Sequence, residues 1–393
     1  MRILLLGAGL QGKAALHDLV NSKAVTKVIA ADADTKQLDA ATQELPLGKI
    51  TATTLDACDH DQVALLMHEV QAVVVMLPPA FGFPIAQLAI NCGIHYIDAY
   101  YTSPEHQDLD AKASDRGLSI LTEFGLDPGI DLLLAGQAVS ELDQVKQLDI
   151  YGAGIPDQES ANNPLKYKIS WSFASVLQGY RDRPARIVCN GKPVDVPPEE
   201  IFSKTSIRTL NLENIGLLEA YPSEDVTTTL DVLGVTENVH TAGRYSMRWP
   251  GHCAFWDKMV NLGFLDHHST GTGDLSISPR QFVHDLLSPQ LQYEDEESDL
   301  AIVRVDARGI KNGRSTRILY ELIDRRDLET GLLAMQRTVG FTASIGVQMI
   351  LRGDINKRGV LSPAKDVPRD IFFSELRKRG IVAMRRQVPT EQQ

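Results

Sequence analysis

Three glycines near the start of the chain have the spacing of a segment that binds a diphosphate through its backbone. The segment follows the apolar run 2–6 and precedes an amphipathic run at 10–20, so it joins a predicted strand to a predicted helix. In such an element the glycines permit a tight turn, close approach of the phosphates and close helix packing, and the start of the helix offers unpaired N–H groups. The predicted dinucleotide contacts are Gly7, Gly9, Leu10, Gln11 and Gly12.

Asp32, at the end of the second predicted strand (25–31), indicates which dinucleotide would bind. A carboxylate at this position accepts hydrogen bonds from the adenosine ribose hydroxyls. It would repel a 2′-phosphate, and the sequence places no arginine beside it. We therefore expect NAD, with NADP as the weaker alternative.

The ends of the next two predicted strands supply further candidates by position alone. Asp56 follows the strand 50–55 and could line the adenine pocket. Leu77 and Pro78, at the end of the strand 72–77, should pass near the nicotinamide ribose. Ligands of open parallel sheets bind beyond the carboxyl ends of the strands, which is the basis of both expectations.

Strands that alternate with helices in the first part of the chain predict a doubly wound parallel sheet, the arrangement of a Rossmann domain. From about residue 147 the strands become longer and more polar, and Asn312-Gly313 predicts a tight antiparallel hairpin. A helical segment returns after Arg337. A chain of 393 residues with this change of pattern is expected to form two domains.

The charge balance favours a small-molecule function. With 51 acidic and 39 basic residues the formal net charge is −12, which disfavours nucleic acid and anionic membrane as partners. No apolar run reaches the roughly 18 residues of a membrane span, so no such span is expected. Glycines interrupt the apolar start of the chain, so no signal peptide is expected either.

Four cysteines without a CxxC pair are typical of a cytoplasmic protein. Asp266-His267-His268 could suggest a metal, but adjacent histidines rarely bind one ion, so none is expected.

Two longer segments resemble the saccharopine dehydrogenase family. They are GLDPGID at 125–131 and NPLKYKISWS at 163–172. Three more segments, LEAYP at 218–222, RWPGH at 248–252 and RGVLSP at 358–363, resemble the same family. The resemblance implies an α/β fold in which residues 1–128, completed by 337–393, form the Rossmann domain. It also implies a mixed α/β domain at 129–336 that binds substrate and forms a homodimer.

The family resemblance implies hydride transfer that interconverts a C–N single bond and an imine. The later segments and the compact length resemble the lysine 6-dehydrogenases of the family, so oxidation of the lysine ε-amine with NAD is the first expectation. Asp127 and the Ser-Trp-Ser segment resemble members that act on secondary amines, and the alternative is a glutamate-forming saccharopine reductase or a carboxynorspermidine dehydrogenase. A different class, a silent NAD-binding sensor or assembly subunit, remains open because a fold does not guarantee chemistry.

An amine must lose its proton before the adjacent carbon can release hydride, and a free alkyl amine has a pKa of about 10.4. Asp127, in a turn after a predicted strand, is the candidate that holds the amine and takes its proton. Tyr101 could align Asp127, and Tyr100 could contact the substrate. The alternatives are a loop-capping role for Asp127 and simple packing for the tyrosines.

A substrate carboxylate would be recognised by the fork of an arginine. Arg248 and Arg244 lie in a strand-like segment that matches the substrate-binding region of the family, and Arg248 is the stronger candidate. His252 could relay a proton or bind substrate, although a lone histidine is more often structural. Ser172, and with it Ser170, could contact the cofactor or else satisfy local backbone groups.

Overall fold

The computed structural model describes residues 1–43, 45–268 and 277–389. These residues form two compact units, each with its own sheet. The first unit comprises Met1–Gly136 and Met335–Val382, and the second comprises Gln137–Ala334 and residues 383–389.

Strands and helices alternate in the first third of the chain, and long strands dominate the middle. The strands are β1 (Arg2–Leu6), β2 (Lys27–Asp32), β3 (Ile50–Thr54), β4 (Ala72–Val75), β5 (His95–Asp98), β6 (Ser119–Leu121), β7 (Gln144–Pro156), β8 (Ala185–Cys189), β9 (Lys192–Val196), β10 (Arg208–Leu212), β11 (Gly216–Pro222), β12 (Thr241–Arg248), β13 (Asp299–Lys311), β14 (Arg314–Arg325), β15 (Gly359–Leu361) and β16 (Ala383–Pro389). The α-helices are α1 (Leu10–Asn21), α2 (Thr35–Thr42), α3 (His60–Met67), α4 (Gly82–Cys92), α5 (Pro104–Gln107), α6 (Asp110–Asp115), α7 (Ile130–Ser140), α8 (Phe173–Asp182), α9 (Val226–Leu233), α10 (His252–Asn261), α11 (Pro279–Leu287), α12 (Ala334–Arg352), α13 (Pro363–Asp366) and α14 (Arg369–Lys378). None of these helices is long and apolar enough to cross a membrane.

The sheet of the first unit is parallel throughout, with the strand order β15-β6-β5-β4-β1-β2-β3. Its central strands are continuous apolar runs, and every residue of β4 is buried, as is typical of a sheet covered on both faces. The strand order reverses between β1 and β4. Such a reversal opens a crevice at the carboxyl ends of the strands, so this part of the unit is suited to bind a ligand.

Helix α12 belongs to the first unit and packs directly on α1. A Cβ atom at Gly340 would lie 2.6 Å from the carbonyl oxygen of Gln11, so the contact requires glycine. Asp18 of α1 binds Ser344 of α12 (2.6 Å) and Arg379 beyond α14 (2.6 Å). The carboxyl-terminal helices therefore complete the Rossmann unit through both packing and charge.

The sheet of the second unit has the order β10-β11-β12-β7-β13-β14-β16, and β8 pairs with β12 and with β9. It is mixed, because β7 runs parallel to β12 while the other pairs are antiparallel. The predicted hairpin is confirmed: β13 and β14 join at Asn312 (φ 50°) and Gly313 (φ 72°), both left-handed as a type I′ turn requires. The expected fold class, a Rossmann sheet with a mixed α/β second domain, is confirmed.

The carboxyl-terminal strand β16 departs from the expectation that residues 337–393 all complete the first domain. It pairs antiparallel with β14, from Ala383 opposite Leu322 onwards, and so extends the second sheet. Without β16 one side of β14 would lack strand partners for its backbone groups. Arg385 on β16 also forms an ion pair with Glu141, and this contact together with Tyr320 lowers the pKa of Glu141 to about 2.

Candidate active-site residues

The glycine-rich turn after β1 has a backbone that other residues could not adopt. Gly7 has φ +94°, and a Cβ atom there would lie 2.6 Å from the carbonyl oxygen of Met76. A Cβ atom at Gly12 would collide with the carbonyl oxygen of Gly7. At Gly9 the nearest contact would be a side-chain atom 3.6 Å away, so the space outside this residue is open. The turn thus brings an uncovered stretch of backbone to the end of the sheet.

The first turn of α1 fits the phosphates of a dinucleotide. Gly9 caps the helix without a side-chain hydrogen bond, and no acidic residue lies in the first turn. Its N–H groups are therefore neither capped by a side chain nor opposed by a negative charge. Leu10, 43% exposed, opens this turn, and Gln11 follows it. A diphosphate is the kind of ligand that such a helix start binds.

Asp32 holds the glycine-rich turn from the neighbouring strand. One carboxylate oxygen accepts a hydrogen bond from the N–H of Ala8 (2.7 Å), and the other accepts one from the N–H of Asp34 (2.8 Å). Each oxygen keeps a second lone pair that can accept from a hydroxyl group. Asp34 in turn caps α2 by accepting a hydrogen bond from Lys36 N–H (2.9 Å).

The cofactor candidates that were chosen by their position after a strand lie at two different places along the sheet. Leu77 follows β4 beside the glycine-rich turn, where its backbone nitrogen lies 3.1 Å from the position of a Cβ atom on Gly7. Pro78, the next residue, is exposed. Asp56 is also exposed but follows β3, the edge strand two positions from β1, and accepts a hydrogen bond from Cys58 N–H (2.9 Å).

Asp127 and Tyr101 meet at the carboxyl ends of β5 and β6. The hydroxyl of Tyr101 donates to a carboxylate oxygen of Asp127 over 3.3 Å, and both residues are half-buried. The turn that carries Asp127 closes through a hydrogen bond from Gly125 N–H to the carbonyl oxygen of Pro128 (2.9 Å). Tyr100 is half-buried beside them, and burial together with Asp98 raises the pKa of its hydroxyl.

Asp98 escaped the sequence analysis, although it directly precedes the loop that carries Tyr101. It is fully buried and accepts hydrogen bonds from Tyr96 O–H (2.5 Å) and Tyr100 N–H (3.1 Å). Burial raises its pKa to about 7, and nearby Glu123 adds to the effect. A protonated Asp98 can donate to the Tyr96 hydroxyl, which then donates its own proton to the carbonyl oxygen of Gly82 (3.0 Å).

Arg248 lies in the second unit among aromatic side chains. Only 5% of the residue is exposed, and its guanidinium lies 5.5 Å from the ring centre of Tyr167 and 5.8 Å from that of Tyr221. Its Nη1 donates to the carbonyl oxygen of Met247 (2.8 Å). No carboxylate of the described residues pairs with it, and its Nε and the Tyr167 hydroxyl are buried without a hydrogen-bond partner there. A buried guanidinium in this state is a candidate site for an anion.

The other site residues predicted in the second unit differ in burial and in their hydrogen-bond partners. Arg244 is buried and donates to Thr229 (3.2 Å). His252 is buried within hydrogen-bond distance of Tyr180 (2.9 Å), and burial together with the charge of Arg248 lowers its pKa well below the usual value. Ser170 is buried. Ser172 is exposed and caps α8 by accepting from Ser175 N–H (3.3 Å), a structural role that its place before a helix could have indicated.

Lys168 is a second buried charge that the sequence analysis missed. It forms a buried ion pair with Glu297, with Nζ–O distances of 2.5 and 2.6 Å. Because the pair joins the segment that contains Tyr167 to a residue 129 positions away, no local pattern indicates it. Asp266 binds Arg181 (2.7 Å), and a group of three potential metal ligands is not found in the described part of the chain.

A Rossmann sheet with this glycine-rich turn is typical of oxidoreductases that use a nicotinamide dinucleotide. The family model described as "Saccharopine dehydrogenase NADP binding domain" matches residues 3–121. The model described as "Saccharopine dehydrogenase C-terminal domain" matches residues 125–381. The chain belongs to the saccharopine dehydrogenase family, whose members are amino-acid dehydrogenases. The family membership expected from the sequence is confirmed.

Individual relatives agree with this assignment. The saccharopine dehydrogenase [NADP(+), L-glutamate-forming] of Schizosaccharomyces pombe is 26% identical over 96% of this chain and 97% of its own length. The mitochondrial alpha-aminoadipic semialdehyde synthase of Rattus norvegicus is 23% identical, and the chain spans about half (47%) of its length. The apo saccharopine dehydrogenase (L-Glu forming) of Saccharomyces cerevisiae has the same fold, with a TM-score of 0.85, 23% identity and coverage of 98% and 99% of the two chains.

These relatives favour the alternative over the first expectation for the activity. Their names contain saccharopine and the semialdehyde of aminoadipate, and they support the secondary-amine member of the family better than lysine 6-dehydrogenase. The names of the fungal relatives also specify NADP, so they do not support the expected preference for NAD.

Asp98 should make the stability of the protein depend on pH. Its pKa is about 7 in the folded state and about 3.9 in an unfolded chain, so the folded state binds the proton more tightly. The resulting stabilisation is complete below about pH 4 and is lost as the pH rises through about 7. Asp98→Asn, which mimics the protonated group, should reduce the fall in unfolding free energy between about pH 5 and pH 8 by about 2 kcal/mol.

The measurement is denaturant unfolding at several pH values. Asp108→Asn, at an exposed aspartate on the same segment, is the matched control and should keep the pH dependence of the parent chain. An unchanged pH dependence in Asp98→Asn would contradict the assignment of the buried proton to this carboxyl group.

Proposed function

We propose that the chain is a glutamate-forming saccharopine dehydrogenase. The observation that carries the proposal is similarity along almost the whole of both chains, at 96% of this chain and 97% of the Schizosaccharomyces pombe enzyme. A match of this extent covers the Rossmann unit and the second unit alike. Since the fold alone is compatible with many reactions, the choice among substrates depends on this similarity and on the candidate residues.

The proposed reaction breaks a C–N bond of a secondary amine in two stages. The carbon beside the nitrogen loses hydride and the nitrogen loses its proton, which leaves a C=N bond. Water then adds to this bond and releases glutamate and an aldehyde. A nicotinamide dinucleotide, when bound, supplies the hydride acceptor. The glycine-rich turn, with Gly7, Gly9 and Gly12, and the first turn of α1 would hold its diphosphate.

Asp127 is the proposed group that holds the amine and accepts its proton. Its carboxylate is half-buried at the carboxyl end of the sheet and already accepts a hydrogen bond from Tyr101 (3.3 Å). A negative charge favours the protonated amine on binding, and the same carboxylate can take the proton before hydride leaves the adjacent carbon. Tyr101 would orient the carboxylate, and Tyr100 is the neighbouring candidate for contact with the substrate.

Arg248 is the proposed receptor for a carboxylate of the substrate. Its buried guanidinium has no carboxylate partner in the described chain, and its Nε lacks an acceptor. A substrate carboxylate would satisfy both the charge and this donor. The hydroxyl of Tyr167 would be a second donor, and the buried, neutral His252 lies beside it, with 5.7 Å between the two ring centres. Arg244, also on β12, is the second proposed arginine for substrate binding.

We propose NAD as the preferred dinucleotide, in contrast to the NADP in the names of the fungal relatives. The support is Asp32, whose two carboxylate oxygens are fixed by the N–H groups of Ala8 and Asp34. Because both bonds hold the charge in place, the carboxylate cannot easily turn away from a 2′-phosphate. The same oxygens retain lone pairs for ribose hydroxyls.

The activity is tested with the purified chain, each dinucleotide in turn, and saccharopine, carboxynorspermidine and L-lysine as substrates. We expect reduction of the dinucleotide with saccharopine and formation of glutamate in equal amount. Turnover of L-lysine alone would instead favour the lysine 6-dehydrogenase, and dinucleotide binding without turnover of any amine would favour the silent sensor.

Arg248→Gln should raise the KM for saccharopine by about 10- to 100-fold, because a charge-assisted hydrogen bond contributes about 1.5–3 kcal/mol. The loss should be smaller for an analogue without the recognised carboxylate. Arg248→Lys keeps the positive charge but lacks the planar guanidinium, so its KM for saccharopine should lie between those of the parent chain and Arg248→Gln. Steady-state kinetics provide the test, with the exposed Arg314→Gln as control. An unchanged KM in Arg248→Gln would remove the residue from the binding site.

Asp32→Asn should shift dinucleotide preference toward NADP by about tenfold in kcat/KM, because it removes the negative charge while its amide oxygen can still accept a hydrogen bond. The control is Asp34→Asn, which removes a carboxylate two residues away and leaves a residue that also caps helices. If the parent chain prefers NADP, or if both variants shift equally, Asp32 does not select the dinucleotide.

A further inference from the structure

The first unit contains a cavity of about 560 Å³ at the amino-terminal end of its parallel sheet. Gln71 directly precedes β4, His95 begins β5 and Arg358 directly precedes β15. Arg352, the last residue of α12, lies on the same wall. The glycine-rich turn follows the carboxyl end of β1, so this cavity lies at the opposite end of the sheet. Its volume is in the range of about 300–1,000 Å³ that small-molecule pockets occupy.

The polar side chains of this cavity present donors. The side-chain oxygen of Gln71 accepts a hydrogen bond from Arg2 N–H (3.0 Å), which leaves its NH₂ group for another partner. The Nδ1 atom of His95 accepts from Ser119 N–H (3.0 Å). Burial and nearby Arg358 lower the pKa of His95 to about 4, so at neutral pH the ring is uncharged and carries its proton on Nε2. Both side chains are therefore oriented as donors by bonds to the backbone.

Arg358 is fixed by one end of its guanidinium only. Its Nη1 donates to the hydroxyl of Ser119 (3.0 Å) and to the carbonyl oxygens of Lys357 (3.0 Å) and Ile355 (3.2 Å). The edge formed by Nε and Nη2 has no acceptor among the residues described, and no carboxylate there pairs with this charge. By contrast, Arg352 is neutralised by Asp354 (2.7 Å). A guanidinium edge that is held in place and unused is suited to bidentate binding of an oxyanion.

Two helices end at the cavity, and their terminal carbonyl groups would repel an anion if they were exposed. At the end of α4 the carbonyl oxygen of Ile90 already accepts hydrogen bonds from Gly93 N–H (3.1 Å) and from Arg116 (2.6 Å). At the end of α12 the carbonyl oxygen of Met349 accepts from Asp354 N–H (2.9 Å). These hydrogen bonds reduce the negative charge that the two helix ends present near Arg358.

We propose that this cavity binds a small organic anion through a carboxylate, with Arg358 as the bidentate donor and Gln71 and His95 as supporting donors. Ile94 and Ile350 contribute apolar lining for the carbon body of the ligand, which an inorganic anion would not use. Because the cavity lies at the other end of the sheet from the glycine-rich turn, the anion and the dinucleotide bind independently. The site goes beyond the proposed function and does not depend on it.

Succinate is the probe, because it carries the carboxylate chemistry and is neither substrate nor product of the proposed reaction. Calorimetric titration of the full chain, saturated with reduced dinucleotide and at constant ionic strength, should give saturable binding with a Kd of about 1 mM or lower. Arg358→Gln should weaken binding by about tenfold or more. Arg377→Gln, at an exposed arginine of the same unit, should bind as the parent chain does.

Gln71→Glu is the second variant, because Arg358 also anchors a loop and its replacement could impair folding. The glutamate still offers an oxygen to Arg2 N–H, but it replaces the donor by a negative charge and should abolish succinate binding. Inorganic phosphate is titrated in parallel, and we expect it to bind more weakly than succinate.

Four results would overturn the proposal. The first is the absence of saturable succinate binding up to about 50 mM, well above the expected Kd. The second is equal binding by the parent chain, Gln71→Glu and any folded Arg358→Gln. The third is binding that Arg248→Gln removes and Arg358→Gln does not, which would locate succinate in the second unit. The fourth is tighter binding of phosphate than of succinate.

Discussion

The hydrogen bonds that Asp32 accepts from Ala8 and Asp34 are the constraint on which the dinucleotide end of the first unit depends. They join the turn after β1 to the end of β2, while Gly7 leaves no room for a side chain against the end of β4. Three strand ends are thereby held together at the point where the strand order reverses. The backbone N–H groups of the glycine-rich turn and of the first turn of α1 are thereby presented at this end of the sheet. A member of this family needs such groups to bind its dinucleotide.

Buried charge is used differently in different parts of the molecule. Lys168 and Glu297 neutralise each other, as buried ions in stable structures usually do. Asp98 instead is partly protonated near neutral pH, because burial raises its pKa to about 7, and it shares a hydrogen bond with the Tyr96 hydroxyl. Arg248 can do neither, since a guanidinium stays protonated. This difference makes Arg248, rather than the paired Lys168, the group that calls for an anionic partner.

Arg358 extends the same argument to a second place in the chain. It lies in a segment that attracted notice only for its resemblance to the family, yet its surroundings explain it in physical terms: one guanidinium edge is anchored and the other is not. The two arginines differ in environment, because Arg248 is enclosed by aromatic rings whereas Arg358 borders an open cavity. Each is an unpaired positive charge whose position is fixed before any ligand arrives.

Much of the Rossmann unit could be predicted from the sequence because its signals are local. The glycine spacing and the apolar strands depend on residues close together in the chain, and so does the Asn312-Gly313 hairpin of the second unit. The same dependence on local signals explains why the position of the last strand was not predicted. The pairing of β16 with β14 involves strands about 65 residues apart, and neither strand indicates its partner. Local sequence does indicate one further role, because Ser172 directly precedes a helix that it caps.

The sequence by itself therefore determined the fold class, the family and the dinucleotide-binding turn, because these depend on short-range steric and hydrophobic patterns. Only the tertiary structure decided which charged groups are buried, which have partners and which do not. Asp98, Lys168 and the free edge of Arg358 acquire their properties from contacts between distant segments. The physical reason is that desolvation and hydrogen bonding depend on what surrounds a group in space, and neighbours in the sequence do not determine that environment.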